Sequence, residues 1–407
     1  MGFLHLAVSL AVQWVIVTSA ICFTSRYSLW RAAAVPFVAF TTYQAWLALD
    51  FFDNNQLVNP MTAAFVVGFG LHHINLLSVA RIDAEEIQQQ IQRQTGTKGT
   101  GATVSEYDCL RWTCYLLTTL RGIDTPYQVK TVPRGQNEAS ESRIAFLVRT
   151  LLIVAAKYLV LDFMTFSPPS KDDTMRLFGP GREYLVLRPN GLPPATLQEV
   201  LIHLGVAFLG WGPIGSWFID VHYRALAVVS VGLGISSPHQ WPALFGSIAE
   251  TYTLRGFWGR FWHQVFRWPM QSIASYVCRD ILRLPRPSLV ERYLNITCVF
   301  AISVFLHLAI DGRAGIYLPH SGALRCFLIQ PLGIMLEDAV QEAYRRFRGN
   351  TKQHITIWTR LIGYVWAWGF LTSVAPLYNF PLFRYQDPTK NGVPFSVIKF
   401  VRALLEK

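Results

Sequence analysis

Charge is the first thing this sequence has little of. Asp, Glu, Lys and Arg supply only 15% of its 407 residues, against roughly a quarter in ordinary soluble domains. With 52% of the residues hydrophobic and 14% aromatic, that deficit argues against a soluble enzyme and for a chain that crosses a membrane repeatedly. The charge that is present leans one way, 36 Lys and Arg against 25 Asp and Glu, for a net +11. Such a balance would suit nucleic acid. In a membrane protein it marks cytoplasmic loops beside anionic headgroups, and the reading adopted is a lipid bilayer as partner and no nucleic acid.

Further absences narrow the chemistry. Six cysteines (Cys22, Cys109, Cys114, Cys278, Cys298 and Cys326) are scattered without a Cys-x-x-Cys pair, so neither a zinc site nor a disulfide framework is indicated. No Gly-x-Ser-x-Gly elbow is present, which leaves a serine-nucleophile hydrolase unsupported. The stretch Gly96-Thr-Lys-Gly-Thr-Gly101 lacks the Gly-Lys-Ser/Thr ending of a P-loop and follows no strand signal. The one Asp-x-x-Asp pair in the sequence is Asp50-Phe-Phe-Asp53. That pair would hold magnesium for a diphosphate only with a second acidic motif, and reads instead as a solvated loop. No metal site is expected. The start, Met1 to Thr24, has no basic leader and no small-residue cleavage site, so it reads as a retained first span.

Long apolar runs are what the chain does have. A crossing needs about 18 to 20 apolar residues. Phe3–Phe23, Leu29–Leu49, Met61–Ala80, Ile144–Phe166, Tyr293–Ile310, the short Ser321–Leu336 and Trp358–Tyr378 qualify. Leu197–Ile235 is long enough for two, but Gly210-Trp-Gly-Pro-Ile-Gly215, Asp220, His222 and Arg224 interrupt it. The segments 81–143 and 239–292 are both rich in Lys and Arg, whereas the Asp50–Pro60 connection has neither. The positive-inside rule puts the two basic segments in the cytoplasm and the N-terminus outside, so 197–235 crosses once. The expected fold is an all-α, polytopic transmembrane helical bundle of about eight spans, seven to nine being compatible with the runs. The division expected is N-terminal spans over 1–80, a cytoplasmic loop over 81–143, a transmembrane core over 144–380 and a tail over 381–407. Residues 84–105, Gln-rich and polar, read as a flexible loop. His72-His73 ends a span and reads as a pair at headgroup level.

Two blocks can carry chemistry. Leu254-Arg-Gly-Phe-Trp-Gly-Arg-Phe-Trp-His263 places Trp258 and Trp262 four apart, on one face of a helix, flanked by Arg255 and Arg260. Aromatic and basic residues together are often only interfacial anchors. They would equally gather a large anionic cosubstrate with a flat head, because guanidinium groups suit phosphates and tryptophans suit adenine or acyl surfaces. The second block is Ser303-Val-Phe-Leu-His307, inside an apolar run. An ionisable group at membrane depth is costly and is there for work or must be paired. An imidazole takes a proton near neutral pH better than any other side chain. Ser303, one turn before, could orient the ring. A buried neutral histidine bonded to a carbonyl is the structural alternative.

Together the blocks resemble the membrane-bound O-acyltransferase superfamily, in its wax-synthase-like branch. The matching residues are Phe257, Trp258, Trp262 and His263, followed by Ser303 and His307. Arg121-Gly-Ile-Asp-Thr-Pro and Phe327-Leu-Ile-Gln-Pro-Leu-Gly-Ile-Met-Leu-Glu-Asp338 also resemble fungal members of that branch. Leu308 stands where many members have an acidic residue or glycine, and the arginine-rich centre of the aromatic block is reduced to Gly259-Arg260-Phe261.

The resemblance implies transfer of an acyl group, acetyl being expected, from acyl-CoA to a hydroxyl of a lipophilic acceptor. A terpenoid or meroterpenoid alcohol of fungal secondary metabolism is the acceptor class. His307 would be the general base. His263 would stabilise the oxyanion or protonate the departing thiolate. Arg255, Trp258, Arg260 and Trp262, with Arg267 in addition, would receive acetyl-CoA or another acyl-CoA as cosubstrate, no cofactor being bound. No cysteine lies in either block, so direct transfer in a ternary complex is expected, in an intramembrane tunnel open to water and lipid. The expected location is the endoplasmic reticulum. A long-chain wax-ester acyltransferase and a proton-coupled transporter are the alternatives. A transporter would spread polar residues over several spans, whereas here they concentrate around one aromatic block and one helix. A terpene cyclase or prenyltransferase would need acidic clusters.

Overall fold

A computed structural model describes residues 2–52, 58–96, 104–133, 141–186, 188–189, 191–347, 356–387, 389–390 and 392–406. Asp53, Arg134 and the glycine-rich 97–101 lie outside the described residues. Among the described residues fifteen α-helices follow one another: α1 Gly2–Phe23, α2 Leu29–Leu47, α3 Val58–Ile74, α4 Ala84–Thr95, α5 Glu106–Thr118, α6 Arg143–Thr165, α7 Lys171–Phe178, α8 Leu197–Trp211, α9 Pro213–Gly232, the single turn α10 Leu254–Gly256, α11 Arg267–Tyr276, α12 Leu289–Arg313, α13 Ala323–Phe347, α14 Ile357–Tyr385 and α15 Val397–Leu405. No strand occurs among the described residues. The fold is all-α, as the apolar runs predict.

Among the described residues seven segments are long and apolar enough to cross a bilayer: Gly2–Phe23, Leu29–Asp50, Val58–Val79, Arg143–Thr165, Leu197–Gly232, Leu289–Arg313 and Ile357–Tyr385. The run expected over Ser321–Leu336 falls largely in α13, which has 25 residues but carries Glu337, Asp338 and Glu342 in its second half. The span over 197–232 is broken once, at Gly212, where φ −93° and ψ −121° leave the helical region. Thr196 and Glu199 close a capping box at its start. Large apolar side chains face outward, among them Val15 at 65%, Phe163 at 67% and Val365 at 77% exposure, as lipid-facing helices require.

The chain divides into two compact units that interleave along the sequence. The first comprises Met1–Asp53, Asn59–Lys130 and Val265–Arg313. Its buried polar side chains satisfy helix ends, where four carbonyls lack intrahelical partners. Arg31, 2% exposed, donates to the carbonyls of Ala20 at 3.2 Å, Thr24 at 3.2 Å and Ile82 at 2.8 Å. His72 and His73, expected as a pair at headgroup level, are both buried within the protein. Their Nε2 atoms sit 2.8 Å from the Leu116 carbonyl and 3.3 Å from the Leu117 carbonyl, at the C-terminal end of α5. The expected loop over 84–105 begins instead with α4. Asp83 caps it by accepting from the Glu86 amide at 3.0 Å, Gly96 closes it at φ +70°, and Ile87 and Ile91 are buried one turn apart. The glutamines between them mask that spacing in the sequence.

The second unit comprises Asn54–Val58, Thr131–Gln264 and Ala314–Lys407. Here α6 pairs with α9, and α14 packs on α8 and α13. Polar groups are less confined than expected, since Lys157 of α6 and Arg224 of α9 both close on buried Asp220. Asp162, also buried, accepts from the Ile398 amide at 3.0 Å. The charges in these spans neutralise one another or cap a helix, which is how intramembrane ions are made tolerable.

Candidate functional site

The histidine block is built by one helix. His307 lies in α12, a 25-residue helix with no interruption, and its ring is half-buried. Its Nδ1 is 2.7 Å from the Ser303 carbonyl oxygen and 3.4 Å from the Ser303 hydroxyl. A carbonyl can only accept, so Nδ1 carries the hydrogen and Nε2 holds the lone pair. The expected orienting role of Ser303 is therefore met, chiefly by its backbone. This is also the hydrogen bond that a purely structural histidine would make, so it fixes the tautomer without fixing the role. Asp311, 1% exposed, lies one turn beyond on the same helix. Sequence reasoning passed over Asp311, although an acid at the end of an apolar run is the signal that finds such residues.

The same helix is clamped at its far end within the first unit. Arg313 pairs with Asp50, donates to Asn59 Oδ1 at 3.2 Å and places its guanidinium 5.1 Å from the Trp46 ring centre. Trp46 Nε1 donates to the Ala309 carbonyl at 2.9 Å. Asp50 is thus one half of an ion pair, and its DxxD partner Asp53 lies outside the described residues.

The aromatic block is built by many elements, all in the second unit. Phe257–Phe261 is a π-turn, not the α-helix that the Trp258/Trp262 spacing presumes, and the Trp262 amide donates back five residues to the Phe257 carbonyl at 2.8 Å. At Trp262 the backbone becomes extended, φ −64° and ψ 146°. The two tryptophans still share a neighbour. Both set their edges on Trp211, with ring centres at 5.3 Å and 5.0 Å, while fully buried Phe257 stacks on Trp262. Trp258 Nε1 donates to Gln330 Oε1 at 2.9 Å, and Gln330 donates in turn to the Cys326 carbonyl at 3.1 Å. His263 is half-buried with its ring against Trp262 and Phe245.

The turn is anchored at its start by α13. Glu337, 4% exposed, accepts from the Leu254 amide at 2.7 Å, the Arg255 amide at 3.5 Å and Trp366 Nε1 at 3.1 Å. Arg255 presents its fork to Asp338, with contacts of 2.8 Å and 2.5 Å. Arg260 points outward, 63% exposed in its side chain, and reaches Glu250 at 2.7 Å, whose carboxylate raises the guanidinium pKa. Two glycines admit the turn: a Cβ at Gly246 would stand 2.1 Å from the Arg260 carbonyl oxygen, and one at Gly256 would stand 1.9 Å from that of Glu250. Trp211, Gln330 and Glu337 were not among the site residues read from the sequence. Trp211 looked like part of a helix break, and a Gln and a Glu in an apolar run are the signals that mark the other two. Among the described residues no three His, Cys, Asp or Glu side chains converge on a metal position.

His307 and the aromatic block therefore belong to different units, each positioned by its own surroundings. Comparison with known proteins joins them. Residues 241–329 match the "Membrane bound O-acyl transferase family", a stretch that contains both blocks. The chain is similar to "Acetyltransferase ataH" of Aspergillus terreus, with 66% identity over 70% of this chain and 93% of that protein. It is similar to "Acetyltransferase pyr8" of Aspergillus fumigatus, with 34% identity over 97% of this chain and 90% of that one. "Acetyltransferase TRI7" of Fusarium sporotrichioides is 37% identical over 78% and 73% of the respective lengths.

Proposed function

The chain belongs to the membrane bound O-acyl transferase family, and from that premise we propose that it carries acetyl from acetyl-CoA to a hydroxyl of a lipophilic acceptor. Acyl transfer and a multi-pass membrane location come with the family. The acetyl group is supported by its relatives, which are named acetyltransferases. The acceptor class proposed is a terpenoid or meroterpenoid alcohol that partitions into the bilayer. The endoplasmic reticulum is the proposed membrane.

The single observation that carries the choice of nitrogen is the hydrogen bond from His307 Nδ1 to the Ser303 carbonyl at 2.7 Å; the role of base comes from the family resemblance. The hydrogen bond supports Nε2 as the nitrogen that receives the acceptor's hydroxyl proton. The alkoxide-like oxygen then attacks the thioester carbonyl carbon, the carbon–sulfur bond breaks, and the thiolate leaves as CoA after taking a proton, with the proton held at His307 Nε2 making good that transfer. His263 is the group proposed to stabilise the oxyanion or to supply that proton. Arg260, exposed and paired with the half-exposed Glu250, is the arginine proposed to draw the CoA phosphates first. Arg255 is engaged with Asp338 on both sides of its fork, so its contribution is to shape the block. Trp258 and Trp262 offer the apolar wall for the pantetheine or adenine part. Cosubstrate from water and acceptor from lipid must meet, hence a tunnel open to both.

Membranes containing the protein, incubated with radiolabelled acetyl-CoA and a panel of terpenoid alcohols, are expected to form the acetate ester, and His307→Ala membranes to form none. Ester formation undiminished in His307→Ala would remove the histidine from the mechanism. Absence of ester with acetyl-CoA but formation with a long-chain acyl-CoA would overturn the acetyl assignment.

A further inference from the structure

The tail after α14 folds into a feature that the transfer reaction does not use. Residues 392–396 lie along α6: Gly392 approaches Thr165 so closely that a Cβ would stand 2.5 Å from the threonine Cβ. Val393, 2% exposed, packs with Leu161 and Val221. Tyr158 is bonded to both sides of the Phe395 peptide, its hydroxyl donating to the carbonyl at 2.7 Å and accepting from the amide at 2.9 Å. The chain then turns into α15. Ser396 caps that helix by accepting from the Lys399 amide at 3.2 Å, and buried Asp162 accepts from the Ile398 amide at 3.0 Å. A carboxylate at a helix N-terminus is favourably placed against the helix dipole.

At 3.6 residues per turn the nine residues of α15 sort cleanly. Val397, Ile398, Phe400, Val401, Leu404 and Leu405 form one face, and Lys399 and Arg402 with Glu406 just beyond form the other. No residue of the helix is buried, and on the apolar face Phe400 is 52%, Val401 46% and Leu404 55% exposed. In water such a face would be an unpartnered liability. Here it hangs from the last third of α6, a spanning helix whose own Leu159, Val160 and Phe163 are exposed, so the helix starts beside a lipid-facing stretch of that span. Short amphipathic helices with basic residues opposite the apolar face lie in the plane of the membrane interface, sunk by about 5–10 Å.

We propose that α15 is an in-plane membrane helix, its apolar face occupied by phospholipid acyl chains and Lys399 and Arg402 turned to the headgroup phosphates. The anchor on α6 sets its depth, so the device fixes how far the second unit rides in the bilayer.

The test uses the full-length protein reconstituted in phosphatidylcholine vesicles that carry a tritiated phospholipid. A photo-crosslinking p-benzoylphenylalanine replaces Val401 or Leu404 on one face, and Lys399 or Arg402 on the other. Illumination is expected to attach tritium severalfold more at 401 and 404 than at 399 and 402. Equal labelling of the two faces overturns the proposal, and so does a protein–protein dimer as the main product at 401 and 404, which would make a second copy the occupant. As a second reading, Leu404→Glu should sharply reduce lipid attachment at 401 while the protein stays in the membrane fraction. Undiminished attachment in that variant overturns the proposal as well. None of these readouts depends on acyl transfer.

Discussion

The helix that carries His307 and the turn that carries Trp258 and Trp262 position their side chains by opposite means. In α12 the orienting partner, the Ser303 carbonyl, is four residues away on the same helix, so regular helical geometry supplies the contact. In the aromatic block the backbone departs from α-helix, and α13, α14, Trp211 and Gln330 hold it from outside. Local positioning makes a residue robust and readable. Tertiary positioning makes it adjustable but dependent on neighbours far along the chain. If this contrast is correct, substitution in α12 damages chemistry with little effect on folding, whereas substitution of the side chains that hold the turn damages stability and cosubstrate affinity together.

The sharpest separation is expected at His307. His307→Ala should lower the turnover number by roughly 10² to 10⁴, the usual worth of a general base, with protein abundance in the membrane and thermal melting in detergent unchanged. A variant that retains wild-type turnover, or loses turnover only because it melts earlier, would break the comparison at its strongest point. Next in size is Glu337→Ala. It strands the Leu254 and Arg255 amides and Trp366 Nε1, and buried donors without a partner cost about 1–3 kcal/mol each. A net loss of about 3 kcal/mol or more is therefore expected, seen as a melting temperature lowered by several degrees. The KM for acetyl-CoA should rise with it. An unchanged melting curve would mean that the π-turn holds itself.

The same contrast decides what could be read in advance. The seven apolar segments, the all-α class and the placing of Ser303 beside His307 need only runs of residues and the 3.6-residue repeat, and those are legible in one dimension. The pairing of Trp258 with Trp262 was legible as proximity but for the wrong reason, since their shared neighbour is Trp211 and the intervening turn is π. Nothing in the local sequence fixes a π-turn; it is admitted by Gly246 and Gly256 and held by Glu337, some eighty residues on. Arg255 illustrates the limit again. A guanidinium beside tryptophans reads as a phosphate ligand until Asp338 is found in its fork. Conversely, α4 was hidden by its glutamines, because two buried isoleucines one turn apart are too faint a signal against a polar background.

A smaller effect separates the two arginines of the block. Arg260→Ala should raise the KM for acetyl-CoA by roughly three- to tenfold, about 1 kcal/mol for an exposed charge contact. The KM for the alcohol and the melting temperature should stay as they are, and added salt should shrink the difference between variant and wild type. Arg255→Ala is expected to behave otherwise, lowering the melting temperature through the loss of its pair with Asp338. Equal behaviour of the two variants would show that the turn does not distinguish an outward cation from an inward one.

The smallest effect is expected at Asp50, and it tests the clamp at the far end of α12. Asp50 pairs with Arg313, but its own side chain is 70% exposed, and exposed ion pairs contribute about 0–1 kcal/mol. Arg313 keeps Asn59 and the face of Trp46 when the carboxylate is removed. Asp50→Asn should therefore leave turnover within about twofold and shift melting by no more than that ion-pair range. If the Asp-x-x-Asp pair instead held magnesium for a diphosphate, turnover would collapse in Asp50→Asn and in the presence of a chelator. A large loss with chelator-insensitive activity would point elsewhere, to the ion pair as the element that sets the height of α12 and with it the reach of His307. Local positioning would then extend further along the helix than the Ser303 contact alone implies.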